Sequence, residues 1–150
     1  MKKIIRDVAA AVLTVSTAIS LVSCKDEQVR SVDIYDDDFV IEHYTEGLGD
    51  YESTEYERIV ISLKYFDIGP HEPQYRGVIY LDEEAGAELM DKYEWNEVEE
   101  PEFEFDEVDI SDLQGPWYTC SDFGSDLFTM VSVNYVVFNG EAIVYDVHVM

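Results

Sequence analysis

The stretch VSVNYVVFNGEAIVYDVHV, residues 131–149, has the most regular pattern in the chain. Its apolar residues alternate with other residues up to Asn139-Gly140 and alternate again after this pair. Side chains two apart on a strand share a face, so each run has one apolar face. Asn-Gly between two such runs favours a type I′ turn, whose twist matches that of paired antiparallel strands. The stretch therefore predicts a C-terminal β-hairpin over residues 130–149.

A second antiparallel pair of strands is predicted upstream of this hairpin. Residues 58–66 are almost continuously apolar and β-branched, which is typical of a central strand. Residues 75–81 form another such run, and residues 67–74 between them contain the turn formers Gly69, Pro70 and Pro73. Two shorter segments are less regular. We predict a short strand at residues 39–44 and a loop at residues 118–126.

One helix is predicted at about residues 82–93. Asp82 is a good N-cap, and the acids that follow it favour the positive end of a helix dipole. Ala85, Leu89 and Tyr93 are spaced four apart and form one apolar stripe. This stripe predicts a helix packed on one face of the sheet.

The densest run of acids, residues 99–109, has the pattern of an amphipathic strand. Phe103 and Phe105 would face the core, while Glu102, Glu104 and Asp106 would face solvent. A charged outer face suits an edge strand, which must not pair with other chains. We therefore predict an acidic edge strand here, with a bulge near residues 106–107.

These segments together predict an α+β fold. We expect a mainly antiparallel sheet of five to six strands, with the helix at about 82–93 packed on one face and the C-terminal hairpin at 130–149. The sheet and helix would belong to a single globular domain at residues 39–150.

The chain is strongly acidic, with 34 acidic and 9 basic residues and a formal net charge of −25. One acid and three bases lie before residue 24, so the remainder keeps 33 acids and 6 bases, a net charge of −27. Binding to nucleic acid requires the opposite sign, and we expect none. Cationic ligands or basic protein surfaces are the expected class of partner.

The first 24 residues have the three parts of a bacterial export signal. Three bases are followed by an apolar run from Val8 to about Ile19, and then by Leu21-Val22-Ser23-Cys24. Two further interpretations stay open. One is an ordinary secretory signal cleaved near Ser23, and the other is an uncleaved membrane anchor, for which the apolar run is short.

The last four of these residues resemble the lipobox of bacterial lipoproteins. That resemblance implies a signal peptide at residues 1–23 and a mature chain that begins at Cys24, whose thiol carries a diacylglyceryl group with acyl chains of the palmitate class. It also implies an exported protein held by lipid at the cell surface or on the periplasmic side of the envelope. Residues 24–38 would then form the lipidated N-terminus and an acidic tether.

The sequence offers no recognisable catalytic, cofactor or metal site. Cys120 has no cysteine partner if Cys24 is acylated, and it lacks nearby bases that would activate a thiol. Asp146 and His148 share a strand face without an evident nucleophile. No spacing of His and Cys residues suggests zinc.

These patterns therefore favour a membrane-anchored, extracytoplasmic binding or interaction protein over an enzyme. One alternative is a divalent-cation binder that uses the acidic edge at 99–109. The other is a cell-envelope hydrolase, which would require a buried carboxyl group of raised pKa in a pocket.

Overall fold

The computed structural model of the protein describes residues 28–63, 72–99 and 101–150. Within these ranges the chain forms seven strands and three short helices. In chain order the elements are β1 (Gln28–Tyr35), α1 (Phe39–Tyr44), β2 (Ser53–Leu63), β3 (Gln74–Tyr80), α2 (Glu83–Lys92), β4 (Asn96–Val98), β5 (Trp117–Thr119), α3 (Ser121–Leu127), β6 (Val131–Phe138) and β7 (Ala142–Val149).

All seven strands belong to one antiparallel sheet with the order β1-β2-β3-β7-β6-β5-β4. The C-terminal hairpin is present as β6 and β7, and β7 lies at the centre of the sheet between β3 and β6. The side chains of residues 142–147 are all buried, because both faces of this central strand are covered.

The turn of this hairpin is not the type I′ turn that the sequence predicts. A type I′ turn needs a positive φ at both central residues, but only Gly140 of the Asn-Gly pair has one (φ 97°). The turn is closed by a backbone hydrogen bond from the N–H of Asn139 to the carbonyl oxygen of Ala142 (3.2 Å) and by the side chain of Asn139. Its Oδ1 accepts hydrogen bonds from the backbone N–H groups of Glu141 (3.0 Å) and Ala142 (2.8 Å).

The predicted fold class, α+β with five to six strands and one helix, is wrong. The described residues form a mostly β domain with seven strands and three short helices. Helix α2 occupies the segment predicted as helix, and Asp82 caps it by accepting a hydrogen bond from the N–H of Ala85 (2.7 Å). Some errors concern elements too short for a period to be read, and others concern segments whose structure depends on distant partners.

Two of these errors exchange one type of structure for another. Residues 39–44, predicted as a strand, form helix α1, which buries the adjacent residues Val40 and Ile41. Three consecutive apolar residues fit a buried strand and a short helix equally well. Residues 118–126, predicted as a loop, contribute to β5 and α3.

Part of the segment predicted as an acidic tether, residues 28–35, forms strand β1. This strand pairs with β2 along its whole length, from Gln28 opposite Leu63 to Tyr35 opposite Tyr56. Six of its eight residues are exposed, because it is the edge strand of the sheet that the described residues form. Such a strand needs no apolar alternation, so its sequence resembles that of a tether.

The acidic edge strand predicted at residues 99–109 is also wrong, together with its bulge. Residues 101–113, called the covering segment below, have no strand structure and lie across one face of the sheet. Phe103, Phe105 and Val108 nevertheless face the core, as their alternation with acids indicates.

The sheet has an apolar layer on each face. The first layer joins Tyr56, Ile79 and Tyr145 of the sheet to residues of the helices, such as Phe123. The second layer joins Val78, Val137 and Val144 of the sheet to the covering segment and to Trp117.

We predict that Gly77→Ala strongly destabilises the domain. Gly77 lies on β3 between Tyr56 and Tyr145, and a Cβ atom at this position would lie 2.6 Å from the Cβ of Tyr56 and would overlap the phenol of Tyr145. Overpacking of this kind costs about 2–3 kcal/mol of unfolding free energy, which urea denaturation would measure.

Gly49→Ala is the matched control, since a Cβ atom there would have no neighbour within 4 Å. If the two substitutions lowered the unfolding free energy equally, the space around Gly77 would accommodate a methyl group and the predicted steric clash would be wrong.

Candidate functional site

An open cleft of about 450 Å³ lies between the loop at residues 46–50 and the helices α2 and α3. We call it the acidic cleft. Its apolar floor is formed by Leu48, Leu81, Ala85, Leu89, Phe123 and Leu127. Its charged rim is formed by Glu46, Asp50, Glu88, Asp126 and Lys92.

Helix α2 is held beside this cleft by its packing on the C-terminal hairpin. Gly86, in the first half of the helix, packs against the carbonyl oxygen of Gly140, and a Cβ atom at position 86 would overlap that oxygen. The glycine therefore allows the helix to approach the turn closely, which explains a residue that weakens the helix itself. This packing turns Ala85 and Leu89 toward the cleft.

The loop at 46–50 is joined to the end of α3 by backbone hydrogen bonds. The N–H of Glu46 donates to the carbonyl oxygen of Leu127 (2.8 Å), and the N–H of Thr129 donates to the carbonyl oxygen of Tyr44 (2.8 Å). Thr45 and Phe128 form an isolated antiparallel bridge at the same place. These bonds fix the first part of the loop relative to α3.

The rim of the acidic cleft has an excess of negative charge. Four carboxylates face one ammonium group, that of Lys92, whose Nζ lies 5.1 Å from the centre of the Tyr93 ring. The hydroxyl of Tyr93 donates a hydrogen bond to Oδ2 of Asp126 (3.0 Å). Burial, and then the bond to Asp126, raises the pKa of Tyr93, so its phenol remains a neutral donor. The cleft is therefore suited to a ligand with both a cationic and an apolar part.

A row of polar residues crosses the opposite face of the sheet, beneath the covering segment. Strand register places Glu57 opposite Arg76, Arg76 opposite Asp146, and Asp146 opposite Tyr135. Residues opposite each other on paired strands share a face. Four strands therefore contribute one residue each to this polar row.

Glu57, at one end of the polar row, is fully buried. Its Oε1 accepts hydrogen bonds from three consecutive backbone N–H groups of the covering segment, including those of Asp106 (2.8 Å) and Val108 (2.9 Å). Its Oε2 is buried without a hydrogen-bond partner. The carboxylate thus replaces a neighbouring strand as the acceptor for this stretch of backbone.

Arg76 and Asp146 form the middle of the polar row. Nε of Arg76 donates to Oδ2 of Asp146 (3.2 Å), and Asp146 also accepts from Nε2 of Gln74 (2.8 Å) and Nδ2 of Asn134 (2.9 Å). His148 lies apart from this carboxylate, and its Nε2 is 4.0 Å from Oε2 of Glu72. The His148–Asp146 pair considered from the sequence is therefore not formed.

Acids of the covering segment pair with two of the sheet's arginines. Arg30 donates to both carboxylate oxygens of Asp106, with Nη1 3.0 Å from Oδ1, and Arg76 donates to the carbonyl oxygen of Glu104 (2.6 Å). The hydrogen bond from Arg30 lowers the pKa of Asp106 below its ordinary value of 3.8. Because the folded state has the lower pKa, this pair stabilises the fold above the ordinary carboxyl range, and the contribution is lost as the pH falls through the lowered pKa.

The divalent-cation hypothesis receives no support from the covering segment. Its Asp106 is engaged by Arg30, and within residues 28–63, 72–99 and 101–150 no three His, Cys, Asp or Glu side chains converge as a metal site would require. Glu57 is the one fully buried carboxylate among the described residues, but it does not line the acidic cleft.

The two cysteines are the remaining candidate residues. Cys120 is half-buried, is not in a disulfide, and occupies the N-cap position of α3 without capping it through its side chain. Cys24, the predicted lipidation site, lies outside the described residues. Among the helices of the described part, none is long and apolar enough to cross a membrane.

Comparison with family models, with curated proteins and with solved structures finds no match to this chain.

Sequence reasoning missed both the acidic cleft and Glu57. The glycines at 47 and 49 correctly indicate a loop, but nothing local shows that this loop meets two helices that are distant in sequence. Glu57 had a weak signal. It lies between Tyr56 and Arg58 in a run that extends the predicted strand toward the N-terminus, and an acid in such a run can be buried when it has partners. Glu55, two residues earlier, has the same pattern, so the signal does not single out Glu57.

We predict that Glu57→Ala destabilises the domain by about 3 kcal/mol, because the buried N–H of Val108 and the part-buried N–H groups of Asp106 and Glu107 lose their shared acceptor. Glu57→Gln should cost less, since an amide oxygen can still accept. Urea denaturation would measure both changes.

Glu55→Ala is the control, because Glu55 lies two residues away on the same strand face and is only half-buried. If Glu57→Ala cost no more than Glu55→Ala, the proposed support of the covering segment would be wrong.

Proposed function

We propose that this chain is a lipid-anchored extracytoplasmic protein that binds a basic, partly apolar peptide segment of a partner in its acidic cleft, without catalysis. The observation that carries this proposal is the combination of an apolar floor with four carboxylates on the rim. The leader and Cys24 carry the anchoring part of the proposal, through their resemblance to a lipobox.

The floor of the cleft provides affinity that charge alone would not. Exposed ion pairs each contribute only about 0–1 kcal/mol, because water and salt screen them. Apolar side chains that become buried contribute about 25 cal/mol per Å² of surface. A lysine or arginine beside a leucine or a phenylalanine would use both features of the cleft.

The rim and the rest of the acidic domain provide selectivity and speed. A net charge of −25 for the whole chain attracts basic segments over a distance and repels acidic ones. Such complementarity acts mainly on the association rate and on the choice of partner. Lys92, the single base on the rim, would place the cationic group of the ligand near Glu46, Asp50 and Glu88 rather than beside itself.

We predict that Cys24→Ser abolishes lipidation and Cys120→Ser does not. Cells fed a fatty acid with an alkyne tag would incorporate the tag into the wild-type chain and into the Cys120→Ser variant, because only the cysteine of the lipobox is acylated. Mass spectrometry of the purified chain would place the N-terminus of the wild-type protein at Cys24. An untagged wild-type protein cleaved near Ser23 would instead establish an ordinary secretory signal.

We predict that neutralising the rim weakens peptide binding. In the triple variant Glu46→Gln, Asp50→Asn, Glu88→Gln, the affinity for a synthetic peptide of alternating lysine and leucine should fall about tenfold, which corresponds to about 1.4 kcal/mol. Isothermal titration calorimetry at two salt concentrations would measure this loss, and the difference from wild type should shrink at high salt.

The matched control removes the same charge elsewhere, with Asp33→Asn, Glu102→Gln and Glu107→Gln at exposed positions outside the cleft. These sites act only through the screened long-range field, so the affinity should change by less than about twofold. Equal losses in the two triple variants would mean that peptides respond to net charge alone, and the cleft would not be the site.

A further inference from the structure

Strands β1 and β2 extend beyond the rest of the sheet at one end. β2 pairs with β3 only over Ser53–Ile59, whereas its pairing with β1 continues to Leu63. Residues 60–63 of β2 and 28–31 of β1 therefore form a two-stranded projection that no third strand of the described residues covers. We call it the ribbon extension.

The surface of the ribbon extension differs from that of the rest of the protein. Its two segments read QVRS and VISL and contain no acid, in a chain with 34 acids. Three of its apolar side chains are unusually exposed: Val29 by 44%, Ile61 by 55% and Leu63 by 38%. Its single charge, Arg30, is bonded to Asp106. The extension is therefore apolar and close to neutral.

The ribbon extension also begins very near the predicted lipid. Only residues 25–27 separate Cys24 from Gln28, the first residue of β1. A fully extended chain covers at most about 3.6 Å per residue, so the first residue of β1 lies within about 14 Å of the Cα of Cys24. If acyl chains on Cys24 are in the bilayer, the start of β1 lies no farther than about 14 Å from the anchor. Each headgroup layer is roughly 5–7 Å deep, so this reach extends from the headgroups to the water just beyond them.

We propose that the end of the ribbon extension docks on the membrane, with its apolar side chains, Ile61 and Leu63 on one face and Val29 on the other, in contact with the lipid interface beside the anchor. This inference rests on the proposed lipidation of Cys24. Carboxylates are repelled by anionic lipid and are costly to dehydrate at any lipid surface, so the lack of acids within residues 28–31 and 60–63 favours lipid contact there over contact at the acid-rich parts of the domain. Acyl anchoring and apolar contact would act together on the same bilayer.

This docking would give the domain a defined orientation. Ser53 and Leu63 are at opposite ends of β2, and an 11-residue strand is about 33 Å long. The loop at 46–50 precedes Ser53, and Leu81 follows the end of β3 that pairs with Ser53. The acidic cleft therefore lies at the end of the sheet away from the ribbon extension, where it would face outward from the membrane.

The test uses the full-length, lipidated chain in phosphatidylcholine vesicles. A single cysteine at Ile61→Cys or at Glu141→Cys, each combined with Cys120→Ser, would carry an environment-sensitive fluorophore. Glu141 is exposed and belongs to the turn that contacts Leu81, at the cleft end of the sheet. Lipids with brominated acyl chains should quench the label at position 61 several-fold more than the label at position 141.

A second pair of variants tests the apolar contact itself. With the label at position 61, the substitutions Val29→Asp and Leu63→Asp should reduce quenching to the level seen at position 141. The control substitutions Ile34→Asp and Phe39→Asp, at residues of similar exposure (47% and 39%) outside the extension, should leave it unchanged. Thermal unfolding would verify that each variant is folded.

The outcomes separate the two proposals. If the chain does not sediment with vesicles, the lipid anchor and the docking surface both fail. If it sediments but both labels are quenched equally, the anchor stands and the docking surface is wrong. If the label at 61 becomes buried only as protein concentration rises, without quenching by lipid, a second copy of the chain covers the extension and the docking proposal is overturned.

Discussion

One whole face of the domain depends on the buried carboxylate of Glu57, which accepts hydrogen bonds from three backbone N–H groups of the covering segment. The covering segment has no strand partner, so its N–H groups at 106–108 need another acceptor inside the protein. Glu57 provides one from β2, the strand next to the edge strand β1, and this lets Phe103, Phe105 and Val108 cover the apolar residues of β3, β6 and β7. A carboxylate can replace a strand here because each bond to a charged acceptor is stronger than a neutral one.

The few bases of the chain are unevenly used. Arg30 and Arg76 are engaged by carboxylates and a carbonyl oxygen of the covering segment and by Asp146, so they stabilise the face opposite the helices. The acidic cleft lies on the helix-covered face of the sheet, and Lys92 is the one base among the residues that line it. The uncompensated charge of the protein is thus available where a basic partner would bind. The same distribution leaves the ribbon extension as a surface without acids.

The two proposed surfaces lie at opposite ends of the sheet because of strand register. β1 and β2 run past the start of β3 at one end, and the loop at 46–50 and helix α2 meet at the other. A short connection to a lipidated Cys24 would place the first end at the membrane and the second in the extracytoplasmic space. An anchored receptor for basic segments requires this arrangement, since headgroups would otherwise obstruct its cleft.

The sequence by itself determined the elements whose signals are local and long. The alternation at 131–149 predicts the β6–β7 hairpin, and Asp82 with the stripe of Ala85 and Leu89 predicts α2. The resemblance of residues 21–24 to a lipobox is also local, and the lipidation that it implies stays a prediction. Tertiary structure alone decided the rest. β1 is a strand because β2 pairs with it, although its exposed residues have no strand pattern. The covering segment has a strand pattern and is not a strand, because its N–H groups bond to Glu57.

The acidic cleft combines residues 46–50 with residues 81–93 and 123–127, and no local period can indicate which distant segments will meet. Periodicity indicates which side chains are buried. The hydrogen-bond partners of backbone groups and the ion-pair partners of charged side chains depend on contacts between segments that are remote in sequence.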